Sequence, residues 1–275
     1  MHENIPGLST GTNHVTDQAL SKLRMVLHYR GTRYSGWQRQ PDQLTIQGAL
    51  EQAFEKILGS TVNVIGAGRT DSGVHARGQV AHCELASLID TKRIRRSLNA
   101  VLPPDIRVFH LRKIHPGFHA RKHALRKRYE YRIYNGPVIS PFLADYVLHV
   151  PPKLDFKKMH QSSLLLEGLH DFSSFAASSC STVNKVRRIS SSIMLRQGLM
   201  LTYRVEGSGF LHHMVRNIVG TLIQVGLGKI GANGISALLA ARNRSKAGPT
   251  APPRGLCLVR VCYPSNVNHN SLASY

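Results

Sequence analysis

One carboxylate stands in a glycine-rich stretch, Gly66-Ala67-Gly68-Arg69-Thr70-Asp71-Ser72-Gly73-Val74-His75-Ala76, with a guanidinium two residues before it. The glycines allow positive φ and close backbone approach. Apolar alternation resumes from Val74 and runs through Val80 to Leu85, which predicts a rigid loop between two strands with Asp71 at its rim. Paired acid/base hydrolysis needs a second acid, and none lies nearby in sequence. A single ionised Asp suits nucleophilic attack or removal of one proton. A cation beside it would hold it charged, and Arg69 or a distant arginine could serve. The competing reading is an Asp that bonds turn amides, a common task for this residue. The residues alone leave both open.

A second cluster could hold a polyanion. Arg121, Lys122, Arg126, Lys127, Arg128 and Arg132 fall within twelve residues, with Tyr129 and Tyr131 among them. Interleaved cations and aromatics suit a phosphate backbone and stacked bases. Tyr131 reads as core beside Ile133; Tyr129 reads equally as core or as a stacking ring. His213 and Arg216 lie three apart on one face of a helical stretch, suited to structural hydrogen bonds or to phosphate. Trp37, in a glycine-bounded loop, reads as an anchor.

The totals point the same way. The 275 residues carry 36 Lys and Arg against 15 Asp and Glu, a net charge of +21. Residues 1–113 hold 15 basic and 9 acidic groups, the remainder 21 and 6. Such an excess favours nucleic acid first and a membrane surface second. No apolar run approaches the roughly 20 residues of a membrane span, and the N-terminal stretch lacks a leader pattern; a cytoplasmic location is expected. The four cysteines form no C-x-x-C pair and read as reduced thiols. His212 and His213 are adjacent, outside the spacings of helical metal motifs, so no metal is expected. The glycines of the Asp71 stretch fit neither phosphate-loop fingerprint, so no nucleotide cofactor is expected.

These residues must be held by mixed elements. Strands are expected at 23–29, 62–65, 106–111, 127–134 and 256–262, with a hairpin of 189–195 and 199–205 turning at Gln197-Gly198. Helices are expected at 45–58 (capped by Thr45, stopped by Gly59), 91–100, 154–166, 212–225 and 235–242. Gly220 inside a helix weakens it unless something packs closely there. The fold class is α+β: two halves, 22–113 carrying the Asp71 loop and 114–264 carrying the basic surface, share a mostly antiparallel central sheet. Residues 1–21 and 265–275 read as disordered tails.

Seven blocks in order resemble the TruA-type tRNA pseudouridine synthases. They are Gly31-Thr32 with Gly36-Trp37-Gln38-Arg39-Gln40; Gly68 to Ala76; Phe118-His119-Ala120-Arg121; Arg128-Tyr129-Glu130-Tyr131; Gly168 to Phe175; Gly209-Phe210-Leu211 with His213 to Gly220; and Gly248 to Pro252 with Gly255-Leu256. The resemblance implies two ferredoxin-like (RRM-like) halves in the pseudouridine synthase fold and a cofactor-free isomerase. That isomerase breaks the uracil N1–C1′ bond, turns the base and joins C5 to C1′, at uridines 38–40 on the 3′ side of the tRNA anticodon arm. It implies Asp71 as the catalytic acid, Tyr129 as the ring stacked on the target uracil, and Arg69 as the arginine holding the flipped state. It further implies Arg187 as the basic partner of the acid and Leu256 as the apolar residue near the base. Arg121, Lys122, Arg126, Lys127, Arg128 and Arg216 are expected on the tRNA, and a homodimer is expected to hold it. Ser72 stands where the family often has alanine. A non-catalytic RNA-binding protein of the same fold is the second reading; a metal nuclease is disfavoured by the missing ligand motifs.

Overall fold

The computed structural model describes residues 20–86, 90–231 and 233–265. The chain runs β1 (Leu20–Tyr29), α1 (Ile46–Leu58), β2 (Ile65–Gly66), β3 (His75–Ala86), α2 (Thr91–Val101), β4 (Ile106–Lys113) and β5 (Arg126–Tyr134). It continues α3 (Pro141–Ala144), β6 (Leu148–His149), α4 (Phe156–Leu164), β7 (Gly168–Asp171), β8 (Val186–Gln197), β9 (Met200–Gly207), α5 (Met214–Gly226), α6 (Gly234–Ala241) and β10 (Leu256–Cys262). One sheet joins the strands in the order β4-β1-β3-β10-β5-β9-β8-β7, with β2 on β3 and β6 on β5. The architecture is α+β and mostly antiparallel, as the alternation predicts. The exceptions are the parallel pairs β10–β3 and β5–β6. The C-terminal strand β10 thus sits between β3 and β5, so one sheet passes from the first half of the chain into the second.

Period-two burial gives the sheet two unlike faces. Leu23, Met25, Leu27 and Tyr29 of β1 and Tyr129, Tyr131 and Ile133 of β5 face the core, which the helices cover. The opposite face of β5 carries Arg126, Arg128, Glu130 and Arg132.

Local signals fix most helix ends. Thr45 accepts from the Gly48 amide at the start of α1, and Gly59 ends it in the left-handed conformation. Helix α4 is shorter than the expected 154–166, because Asp155 caps its start by accepting from the Lys158 amide. The expected strand at 62–65 shrinks to Ile65–Gly66. Val62 and Val64 are buried, but the Val64 amide donates to Glu51 Oε1 rather than to a strand. Leu20 and Ser21, expected in a tail, begin β1 and pair with Ala86 and Leu85. The rest of the two expected tails, apart from Ser265, lies outside the described residues.

Gly220 resolves as a close approach. A Cβ at this position in α5 would lie 1.7 Å from the Pro249 carbonyl oxygen. The loop at 248–252 therefore crosses directly over α5, and Gly248 N donates to Thr221 Oγ1 there. Asn217, fully buried, donates to the Phe175 carbonyl and accepts from Thr250 Oγ1 and Arg244.

Gly220→Ala is expected to destabilise the protein by about 1–3 kcal/mol through overpacking. Gly231→Ala, where a Cβ meets nothing within 4 Å, is expected to stay within about 0.5 kcal/mol. Urea unfolding of the two variants measures the difference.

Candidate active site

The loop of residues 67–74 is held from two sides. Residues 31–37 grip it through backbone hydrogen bonds: Trp37 N donates to Thr70 O, and Gly73 N to Tyr34 O. Gly36 adopts φ +91°, and a Cβ there would lie 2.6 Å from the Thr70 carbonyl oxygen. Only glycine meets both demands. From the sheet, Tyr29 shares a 2.8 Å hydrogen bond with Thr70 Oγ1, and Gln79 donates to the Gly68 carbonyl. Asp71 is left at the rim with its side chain 20% exposed.

A guanidinium meets it from the far half of the chain. Arg216 Nη1 donates to Asp71 Oδ2 at 3.0 Å, and its Nε donates to the Ala251 carbonyl at 2.8 Å. The loop that crosses Gly220 thereby aims the arginine. His213 Nε2 stands 3.6 Å from Oδ2 and His212 Nε2 3.7 Å from Oδ1. Burial holds the His213 imidazole below its ordinary pKa, against the pull of Asp71. Oδ2 thus takes the Arg216 hydrogen bond, while among the described residues Oδ1 accepts none and has His212 at 3.7 Å. Ligand atoms of Asp71, His212 and His213 lie within 4.8 Å of one another. Arg216 supplies the positive charge beside the carboxylate.

Asp71 and Tyr129 line one open cleft of about 1160 Å³, together with Arg69, Leu256, Phe210 and Lys127. Tyr129 is 7% exposed and packs edge-on against Phe210, ring centroids 5.2 Å apart. Burial pushes its hydroxyl far above the usual phenol pKa, with Tyr29 and then Asp71 adding; it is a neutral ring. Tyr131 is core, donating to the Pro252 carbonyl, and Trp37 is an anchor, 2% exposed. Arg69 is exposed and donates to Gln38 Oε1.

Several expectations are corrected. Arg187 does not reach the acid: its Nη1 donates to the Asn184 and Val186 carbonyls, and the partner is Arg216. Arg216 was expected on phosphate, but its guanidinium is committed to Asp71 and Ala251. The basic cluster splits with the strand. Lys127 faces the cleft, whereas Arg126 and Arg128 point to the other face, both paired with Glu206. Arg121 lines the cleft; Lys122 is exposed and is not among the lining residues. His213, read beside Arg216 as a structural or phosphate contact, and His212, read only against metal motifs, both approach Asp71; the Phe210 wall was not anticipated. The spacing of His213, Arg216 and Asn217 was the available signal.

The family model described as tRNA pseudouridine synthase matches residues 25–121 and 163–264. The chain belongs to that family. It is 42% identical over 244 residues to tRNA pseudouridine synthase A of Acetivibrio thermocellus, covering 89% of this chain and all of that one. It is 42% identical over 245 residues to the Myxococcus xanthus protein of the same name (89% and 92% covered). Against the Shewanella piezotolerans protein it is 41% identical over 258 residues (92% and 97%). The synthase is accordingly an isomerase. No helix among its described residues is long and apolar enough to cross a membrane.

One histidine fixes the segment that brings Arg121 to the cleft. His82 Nδ1 accepts from the Ala120 amide at 3.2 Å, while Tyr263 donates to the Ala120 carbonyl. Burial pulls His82 down to about 4, with His119 and Lys22 adding. The unfolded chain therefore binds more protons between about pH 6.5 and 4. Stability is expected to fall as pH drops through that window, and His82→Gln to flatten the slope, read as urea midpoints at pH 7, 5.5 and 4.5.

Proposed function

We propose that the protein converts uridine to pseudouridine in tRNA, on the 3′ side of the anticodon arm, with Asp71 as its catalytic carboxylate. The single observation that carries this is the Asp71–Arg216 pair in the same cleft as the Tyr129 ring, in a chain of this family. A base stacked in a helix cannot be detached and turned, so the target must be flipped out. The cleft is wide enough for a nucleotide. Tyr129 supports the uracil, Leu256 closes the apolar side, and exposed Arg69 stands where it can fill the gap left by the flipped base. A homodimer that shares one tRNA fits the resemblance.

The reaction breaks N1–C1′, forms C5–C1′, takes the proton from C5 and places one on N1, with no net change in mass. It begins at a carboxylate oxygen beside the ribose, whether by attack on C1′, attack on C6 or removal of the C2′ proton. Asp71 Oδ1 is the oxygen that Arg216 leaves free. No redox step is required. Exclusion of water by the filled cleft keeps the detached uracil in place.

Asp71→Asn is expected to abolish pseudouridine formation while tRNA affinity stays within a few-fold of the parent. Carbodiimide-stop mapping of treated tRNA reads the first outcome and filter binding the second. New stops outside the anticodon arm, or none from the parent, would remove the positional assignment. Arg216→Gln is expected to lower turnover by about 10²–10³ with little change in affinity, because it strips a charge-assisted bond from the reacting group. Single-turnover rates at saturating enzyme measure it.

A further inference from the structure

We propose that Lys127 and Arg121 form an anion subsite on the cleft wall, which takes a phosphodiester of the RNA strand beside the flipped nucleotide. The inference rests on the RNA-modifying reading above and assigns one part of that site.

Strand β5 supplies the comparison. Two of its three outward cations have an acid built for them: Arg126 and Arg128 share Glu206, while Glu130 holds Arg77 of β3 and Arg204 of β9. Its inward cation has none. Lys127 is half-buried in the cleft, and among the described residues no carboxylate pairs with its Nζ. The charged neighbour acting on it is another cation, Arg121. Its Nζ presses against the Asp71 loop so closely that a Cβ on Gly68 would lie 2.9 Å away. The strands flanking it present Gly207 of β9 and Val261 of β10, which carry no charge. The other charged or titratable groups lining the cleft are Arg69 and Asp71 on the loop, Tyr129 on the same strand, Cys180, and His212, His213 and Arg216 at the start of α5; the one acid among them, Asp71, is taken by Arg216. Two like charges, one of them desolvated, without an acid, are costly unless an anion arrives.

Spacing identifies the anion. Lys127 and Tyr129 are two residues apart on one face of a strand, about 7 Å, which matches the reach from a stacked base to the phosphate of its own strand. Arg121 is held beside Lys127 by the two hydrogen bonds on Ala120.

Burial draws the Lys127 ammonium down to about 8. A bound phosphodiester restores its charge, so affinity must fall as pH rises through that value in the free protein. The test is equilibrium anisotropy of a fluorescein-labelled anticodon hairpin, already isomerised so that no turnover occurs. Full-length protein is used with Cys180→Ser in every arm. Burial raises the Cys180 thiol, but hydrogen bonds from Thr182 and the His212 backbone outweigh it and leave the thiol below its ordinary value.

With Lys127 present, affinity is expected to drop about tenfold from pH 7 to pH 9. Lys127→Arg is expected to keep the pH 7 affinity and lose the drop. Lys127→Met is expected to bind about tenfold more weakly at pH 7, without the drop, and with a salt slope shallower by about 0.7–0.9, one phosphate contact. The same pH profile and salt slope in Lys127→Met as in the parent would overturn the subsite and leave the function standing. A parent that fails to bind the hairpin would overturn both. If Lys127→Met does not fold by circular dichroism, the parent against Lys127→Arg decides: a pH drop retained in Lys127→Arg refutes the proposal.

Discussion

The ion pair between Asp71 and Arg216 joins residues 145 positions apart at 3.0 Å, and the surrounding architecture serves that distance. Asp71 is fixed by a loop that residues 31–37 and β3 clamp from opposite sides. Arg216 is fixed by α5 and by the loop laid over Gly220. Neither half of the chain builds the pair alone, and β10, inserted between β3 and β5, locks the two halves into one sheet. Breaking a partly buried charge pair of this kind from one side is destabilising, because the remaining charge loses its partner in a place where water only partly replaces it. The same physics makes it useful: one carboxylate oxygen is neutralised and held still while the other keeps its lone pairs.

Most elements were legible because their signals are local. Alternation gave β1, β5 and β10, and Thr45 and Gly59 bracketed α1. The loop carrying Asp71 fell between two strands, as the glycines and the returning alternation implied. What sequence could not supply was pairing across the fold. Arg187 and Arg216 are both arginines near the start of an element, and period-two or period-four patterns say nothing about which approaches residue 71. The strand expected at 62–65 failed for a related reason, since the Glu51 side chain took the amide that a strand partner would have used.

The basic stretch from Arg121 to Arg132 shows a different limit. Read as composition it is one patch; folded, it is two surfaces. Strand geometry turns Lys127 toward the cleft and Arg126 and Arg128 away from it, and Glu206 pairs with both outward arginines. The sequence contained this split in its period of two, but charge counting averages over it.

Net charge is therefore an imperfect guide to where a polyanion sits. Of the 36 basic residues in the chain, four are held in clusters where one glutamate serves two arginines, and those clusters staple neighbouring strands on the outward face. A cation in such a cluster can meet a phosphate only by giving up a bond it already has. A cation without an acid gives up only water, and a desolvated one has already given up much of that. Attraction for RNA should therefore be strongest where the fold leaves charge unpaired beside a cleft, which is the wall shared by Lys127, Arg121 and the loop that presents Asp71. Strand alternation thus separates the arginines that hold the sheet from the cations that face the cleft.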